Sequence, residues 1–422
     1  GELNEQVNSL KNFFPANKVV IILCSYSVDI IYIYLACLRY GAIPLLLSPN
    51  TSTKSLQNYI ETYEASYIVS KHEIKDLNLK KIKIKSSYLY HSLFSSFVDS
   101  DKLAMLLTTS GSTGNPKLVK ISKDNILSNT NSICKYLKIN ASDKHITTLP
   151  MHYTYGLSCI NTYLFSGATI ILNDYSITEK KFWDLVKETN PTSLAGVPYT
   201  YTTLLRLGIN LIADNNFKVL TQAGGKLDNE SLSKYSDFCE VNNIKFFVMY
   251  GQTEATARMS YLPPHKLKEK IGSIGIAIPD GKFEIRDQEE GNLINSIKTT
   301  GELFYKGNNI SLGYSNKFSD LSINNEDKHI LKTGDLAYKD AEGYFYVVGR
   351  LSRFAKINGL RISLLDLEEF ILKNKINSAV ISNDKNIYVF IEQEKYSDEI
   401  SKDIRKSIIS EFPITPSVLK VK

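Results

Sequence analysis

No stretch of this 422-residue chain approaches the roughly 20 consecutive apolar residues that a membrane-spanning helix needs. The most apolar helix candidate, Tyr26 to Tyr40, is bracketed by Asp29 and Arg39 and stopped by Gly41, so it reads as a core helix. The N-terminus, Gly1-Glu2-Leu3-Asn4-Glu5, has no basic n-region. These absences predict a soluble, cytoplasmic chain with no membrane span. No basic block stands out either: the net charge of +6 comes from lysines spread along the whole chain, which excludes a nucleic-acid-binding arm and predicts no nucleic-acid partner. The five cysteines, Cys24, Cys37, Cys134, Cys159 and Cys239, form no CxxC pair, which argues against structural zinc and predicts buried thiols in a reducing compartment. Internal repeats and low-complexity linkers are absent.

What is present alternates between helical and strand periods from Gln6 to about Tyr250, the signature of a wound α/β sheet. Strands are predicted at Val19 to Cys24, Ile43 to Leu47, Tyr67 to Ser70, Ile146 to Leu149, Thr169 to Leu172, Ser193 to Val197, Lys218 to Gln222 and Phe246 to Met249. Helices are predicted at Gln6 to Phe14, Val28 to Tyr40, Thr53 to Ala65, Asn125 to Leu137, Glu179 to Thr189 and Asn229 to Val241. After Gly272 the texture becomes short strands and turns, and after Gly349 a small α/β module. The fold class is α/β: a large N-terminal domain of wound α/β sheets with a small β-rich subdomain over residues 1–350, then a small α+β domain over 351–422.

Between two strand-like runs, Leu103 to Leu107 and Leu118 to Ile121, lies Thr109-Ser110-Gly111-Ser112-Thr113-Gly114-Asn115-Pro116-Lys117. Gly111 and Gly114 let backbone N–H groups turn toward one point; the hydroxyls of Thr109, Ser110, Ser112 and Thr113 add donors and Lys117 a cation, a nest suited to polyphosphate. It is not a Walker loop, because Asn115-Pro116 separates Gly114 from Lys117 and a strand follows. Standing alone, such a cluster is more often just a flexible loop.

Further segments carry chemistry in order. Tyr250-Gly251-Gln252-Thr253-Glu254 follows the strand Phe246 to Met249, at the strand end where open α/β sheets place ligands. Glu254 could hold Mg²⁺ and Thr253 could bond a phosphate, or the pair could simply start a helix. Asp335, in Thr333-Gly334-Asp335, can accept both hydroxyl protons of a ribose or serve as a turn residue. Arg350, at the end of a hairpin from Tyr338 to Val348, reads as a further donor or as an exposed strand-end arginine. His152, in Met151-His152-Tyr153-Thr154-Tyr155-Gly156, is a structural histidine or, near Gly196 to Tyr199, the wall or gate of a second substrate.

Taken together these segments resemble the acyl-adenylating superfamily: acyl-CoA synthetases, adenylation domains of non-ribosomal peptide synthetases, and luciferases. The resemblance runs from about Lys18 to the C-terminus. It implies that Thr109 to Lys117 is the phosphate loop and that Ala223-Gly224-Gly225-Lys226-Leu227 packs against adenine. It further implies that Tyr250 to Glu254 is the Tyr-Gly-x-Thr-Glu motif, with Thr253 at the α-phosphate and Glu254 at Mg²⁺, and that Asp335 with Arg350 holds the ribose. Gly301-Glu302-Leu303, Gly307 and Gly313-Tyr314 match a structural segment, and Lys356 to Ile362 with Glu368-Glu369 matches the start of a mobile C-terminal domain. The implied activity is AMP-forming ligation with ATP and Mg²⁺: a carboxylic acid becomes an acyl-adenylate with loss of pyrophosphate, and the acyl group passes to CoA or to the phosphopantetheinyl arm of a carrier protein.

Two departures qualify the expectation. Ser352 stands where relatives carry an acidic or lysine hinge residue, and the sequence stops at Lys422, before the glycine-lysine loop whose lysine assists adenylation in relatives. The small domain is therefore expected to be incomplete, or the protein to be a catalytically impaired ATP-binding homologue; an unrelated ATPase or kinase is the remaining alternative. Amino-acid-activating relatives keep an aspartate just after the strand corresponding to Ile146 to Leu149, to pair with the substrate's α-ammonium. His152 to Tyr155 has no carboxylate there, so the resemblance implies an uncharged acyl, aryl or hydroxy acid rather than an α-amino acid.

Overall fold

The structure is a computed structural model of the full chain, and it describes residues 1–75, 77, 79–108, 117–322, 330–351, 354–357, 360–373, 376–383, 386–392, 397–412 and 414–422. Thr109, Ser110, Gly111, Ser112, Thr113 and Gly114 of the expected phosphate loop, and Ser352 of the expected hinge, lie outside the described residues. The described chain divides into two compact units. The first comprises Gly1–Glu284, Phe304–Leu331 and Gly343–Phe345; the second comprises Ile285–Leu303, Lys332–Glu342 and Tyr346–Lys422.

The first unit is built on two wound sheets. One has eight strands in the order Tyr314–Ser315, Leu118–Ser122, Leu103–Thr108, Ile43–Leu47, Val19–Leu23, Tyr67–Ser70, Ser87–His91 and Lys80–Ile84. The other has seven, in the order Ile276–Ala277, Ser260–Leu262, Lys245–Tyr250, Val219–Gln222, Ser193–Gly196, Lys144–Ile146 and Thr169–Ile171. Val19–Leu23 pairs in parallel with Ile43–Leu47 and with Tyr67–Ser70, and all five of its residues are buried. That is why it is written as an unbroken apolar run rather than an alternation. Val20 and Ile22 belong to the core on one face of the sheet, with Ile30, Ile33 and Tyr34 of the helix Val28–Tyr40. Val19 and Ile21 belong to the core on the other face, with Leu56 and Ile60 of the helix Thr53–Thr62.

Helix ends follow local chemistry. Gly41 closes Val28–Tyr40 in the left-handed region at φ 81°. Ser122 and Asn125 form a reciprocal capping box at the start of Lys123–Leu137. Asp228 accepts a hydrogen bond from the Ser231 N–H to start Asn229–Val241.

Several elements depart from the sequence reading. The expected strand Ile146 to Leu149 is instead Lys144–Ile146, and the expected helix Gln6 to Phe14 is the earlier Glu2–Asn8. A helix, Thr154–Phe165, forms where none was expected. Nine of its 12 residues are buried, so no polar face writes a 3.6-residue period into the sequence. Four of the five cysteines are buried and Cys134 is partly so; all five are free thiols.

A four-stranded sheet, Lys282–Arg286, Gly301–Lys306, Ile330–Lys339 and Phe345–Arg350 in that order, forms the β-rich part of the chain. In the second unit a three-stranded sheet, Ser378–Ser382, Ile387–Ile391 and Leu419–Val421, packs with the helices Leu364–Leu372 and Asp398–Glu411. Leu367, Ile371, Val380, Val389, Ile404 and Ile408 make its core. The architecture is thus the expected one, a large wound α/β part followed by a small α+β part. Among the described residues no helix is long and apolar enough to cross a membrane.

Two outcomes follow. Because both faces of Val19–Leu23 are buried, Ile21→Ala and Ile22→Ala should each cost about 2–5 kcal/mol in urea unfolding, whereas a half-solvated strand would tolerate one of the two. His145, 3% exposed, lies 3.0 Å through Nδ1 from Ser193 Oγ and stacks on Tyr163. Burial, helped by the Arg258 guanidinium, pushes its pKa down to about 3. The folded state therefore keeps it neutral, while the unfolded state binds a proton below about pH 6.5. Its contribution is complete above that pH and is lost as pH falls toward 3, amounting to about 2 kcal/mol by pH 5. Urea unfolding at pH 7 and pH 5 should show a smaller acid loss for His145→Gln than for the parent protein; equal losses would refute the assignment.

Candidate active site

The strand Lys245–Tyr250 ends on a turn that doubles back at once. A Cβ on Gly251 would overlap the Ala257 carbonyl oxygen, so only glycine fits there. Thr253–Ala255 forms a single 3₁₀ turn, and the chain then passes through Thr256 at φ 53° and Ala257 at φ 99°. Both are left-handed conformations that a β-branched residue and an alanine ordinarily avoid, so the turn stores strain. Asn309, 1% exposed, holds it by donating from Nδ2 to the carbonyls of Ala255 (2.7 Å) and Arg258 (3.2 Å). Thr256 Oγ1 donates back to the Asn309 carbonyl at 2.7 Å.

This turn places two of the expected functional side chains. The Thr253 hydroxyl lies 3.0 Å from that of Thr154, at the start of the helix Thr154–Phe165. The backbone carbonyl of Glu254 accepts from the Ser311 N–H at 2.9 Å, and its carboxylate accepts from the Tyr314 hydroxyl at 2.6 Å. Tyr314 pairs with Val119 across the hairpin that also carries Lys117. The Lys117 ammonium sits over the Tyr314 ring, 3.4 Å from its centre. Thus Lys117, Glu254 and Thr253 are gathered in the first unit, with Tyr314 touching both the cation and the carboxylate. Glu254 and Tyr314 also line a groove of about 900 Å³, together with Ser311, Gly313, Ser122 and Asn125.

A second wall forms around residues 222–225. Gly224 adopts φ 81°, and Tyr153 and Val197 crowd the place a side chain there would take; Pro198 does the same at Gly225. Gln222 fixes the turn by donating from Nε2 to the Gly225 carbonyl at 2.8 Å, and Lys226 is exposed. His152 is partly buried beside Tyr153, and its Nδ1 is buried without a hydrogen-bond partner. Burial lowers its pKa, so the imidazole is held toward its neutral form.

In the second unit, Arg350 donates from Nε to Asp335 Oδ1 at 2.7 Å. The Asp335 side chain is 5% exposed against 54% for Arg350, so a buried carboxylate meets a solvated guanidinium. The Asp335 N–H donates to Thr333 Oγ1 at 3.1 Å, and that hydroxyl donates to the Leu303 carbonyl at 2.7 Å.

Three residues that shape the first-unit cluster carry no sequence signal of their own. The sequence marks Tyr314 only as part of a structural segment. Asn309 is a lone asparagine in a loop. Arg258, 2% exposed, donates to Ser158 Oγ, the Tyr136 hydroxyl, Met249 Sδ and Cys159 Sγ, with the Tyr155 ring 5.0 Å away. The available hint was the glycine before Tyr314, which marks a backbone that must turn.

A family model described as AMP-binding enzyme matches residues 1–315. The chain is 25% identical over 363 residues to a 2-succinylbenzoate–CoA ligase of Oceanobacillus iheyensis, covering 83% of this chain and 72% of the relative. It is 26% identical over 436 residues to bacitracin synthase 3 of Bacillus licheniformis, covering 97% of this chain and 7% of that one. Among solved structures, o-succinylbenzoate CoA synthetase from Bacillus subtilis in complex with its acyl-adenylate intermediate matches with a TM-score of 0.74 at 22% identity, over 100% of this chain and 87% of that one. ATP-bound MatB from Rhodopseudomonas palustris matches with a TM-score of 0.75 at 20% identity, over 100% and 88%. These structural likenesses carry the fold, and the family match over residues 1–315 carries the chemistry: the chain belongs to the AMP-binding enzyme family, as an AMP-forming acid–thiol ligase that uses ATP with Mg²⁺.

Proposed function

We propose that this chain activates a carboxylic acid lacking an α-ammonium group and passes the acyl group to the thiol of CoA. A carboxylate is a poor electrophile because oxide would have to leave. Its oxygen attacks the α-phosphorus of ATP, the bond from that phosphorus to the bridging oxygen breaks, and pyrophosphate departs with the electron pair. The protein's part is positioning and charge neutralisation. The observation that carries this reading is the cluster of Lys117, Tyr314 and Glu254 on the hairpin and the doubled-back turn.

In this reading Lys117 and the loop Thr109, Ser110, Gly111, Ser112, Thr113 and Gly114 hold the β- and γ-phosphates. Thr253 bonds the α-phosphate, and Gly224, Gly225, Lys226, Tyr250 and Gly251 frame the base. His152, neutral and with an unengaged Nδ1, forms the wall or gate of the acid pocket. Asp335 and Arg350 are assigned to the ribose on the sequence resemblance. A single accessible carboxylate fits Mg²⁺, which takes one or two carboxylates together with substrate phosphates, so Glu254 would hold it. Bound there, Mg²⁺ supplies neutralisation of phosphate charge. Residues 1–350 are proposed as the adenylate-forming core and 351–422 as the small domain.

CoA is favoured as acceptor by the succinylbenzoate-ligase relatives, of which this chain spans 72–73%. A second reading, a carrier-protein thiol, is favoured by the match to bacitracin synthase 3 across 97% of this chain. The acid pocket agrees with a non-amino acid, because His152, Tyr153, Thr154 and Tyr155 present no carboxylate.

The test is pyrophosphate release from MgATP across a panel of carboxylic acids, followed by chromatography of the products with CoA or with a phosphopantetheinylated carrier protein. Release should depend on the acid. Lys117→Ala and Glu254→Ala should each lower it by about 100-fold or more without unfolding the protein. Parent-like rates in both variants would overturn the assignment.

A further inference from the structure

Tyr314 makes two contacts at once that no sequence motif requires. Its hydroxyl donates to Glu254 Oε1 at 2.6 Å, and its ring face receives the Lys117 ammonium at 3.4 Å. Among the described residues, Lys117 and Glu254 form no ion pair with each other, although both meet this one side chain.

The placement is built into the backbone. Gly313 takes φ 95°, its carbonyl accepts from the Lys120 N–H at 2.9 Å, and the Leu312 N–H donates to the Lys120 carbonyl at 2.8 Å. The register Tyr314↔Val119 then sets Tyr314 a diagonal step from Lys117, the spacing at which cross-strand side chains of this length meet. Glu254 is brought to the Tyr314 hydroxyl because Ser311, three residues before Tyr314, donates its N–H to the Glu254 backbone carbonyl.

We propose that Tyr314 is a positioning residue for the nucleotide and its metal: a spacer that keeps Lys117 and Glu254 from neutralising one another while orienting both. This rests on the assignment of Lys117 to phosphate and Glu254 to Mg²⁺ made above. The physical case is simple. An ammonium and a carboxylate a few ångströms apart would collapse into an ion pair and present little charge to a polyphosphate or a cation. An aromatic face binds the ammonium without discharging it. A phenol bonded to one carboxylate oxygen fixes the other's direction, as outer partners of metal ligands do.

The experiment measures binding without turnover. ATP is titrated calorimetrically into the whole protein, with no acid present, once with Mg²⁺ and once with EDTA. Tyr314→Phe keeps the ring and removes the hydroxyl, so its affinity in EDTA should stay within about twofold of the parent. Its gain in affinity on adding Mg²⁺ should shrink about tenfold. Tyr314→Leu removes both contacts and should also weaken binding in EDTA. The inference is overturned if Tyr314→Phe keeps the full Mg²⁺ gain, or if Tyr314→Leu binds ATP in EDTA as the parent does. Lys117→Ala and Glu254→Gln separate the two levels. If they lose phosphate affinity and Mg²⁺ gain while the Tyr314 variants do not, only the spacer falls. If they too bind as the parent, the assignment beneath it falls.

Discussion

Everything at the first-unit site hangs on the turn from Tyr250 to Arg258. The chain must reverse within a few residues of a buried central strand, and the reversal is so tight that Gly251 faces the Ala257 carbonyl where a side chain would go. Thr256 and Ala257 take left-handed conformations to complete it. Such strain persists only where surroundings over-determine the backbone. Here Asn309 does so with three hydrogen bonds, and Ser311 adds a fourth at Glu254. Glu254 and Thr253 therefore project from a rigid turn rather than a loose loop, which is what electrostatic preorganisation demands.

The same turn is anchored from below by a buried charge. Among the described residues Arg258 has only neutral partners: two hydroxyls, a thiol, a thioether and the tyrosine ring of Tyr155. A guanidinium cannot shed its proton, so its desolvation is offset only by these dipoles and by the ring. Its field also reaches His145 and helps keep that imidazole neutral. The helix Thr154–Phe165 supplies Tyr155, Ser158 and Cys159 to this arrangement and Thr154 to Thr253, so one buried helix ties the Arg258 cluster to the turn that carries Thr253.

Much of this was legible beforehand. Val28–Tyr40, Asn229–Val241, Ile43–Leu47 and Tyr67–Ser70 fall at the predicted bounds, because apolar runs closed by Gly41 or opened by Asp228 write their own limits. The helix Thr154–Phe165 escaped because burial on nearly every side erases periodicity. Of the site, Lys117, Thr253 and Glu254 were named in advance and are gathered in the first unit, while Asp335 and Arg350 pair in the second.

Motif chemistry is local, and so the sequence by itself determined the wound α/β class, the hydroxyl-rich loop before Lys117, the glutamate after the Tyr250 strand and the family. Tertiary structure alone decided that Tyr314, about 200 residues from Lys117 and 60 from Glu254, contacts both. It likewise made Asn309 the clamp and buried Arg258 among hydroxyls, sulfurs and a tyrosine ring. Those facts depend on strand register and on packing between distant segments, and no spacing along a single chain encodes a contact that only the folded sheet brings about.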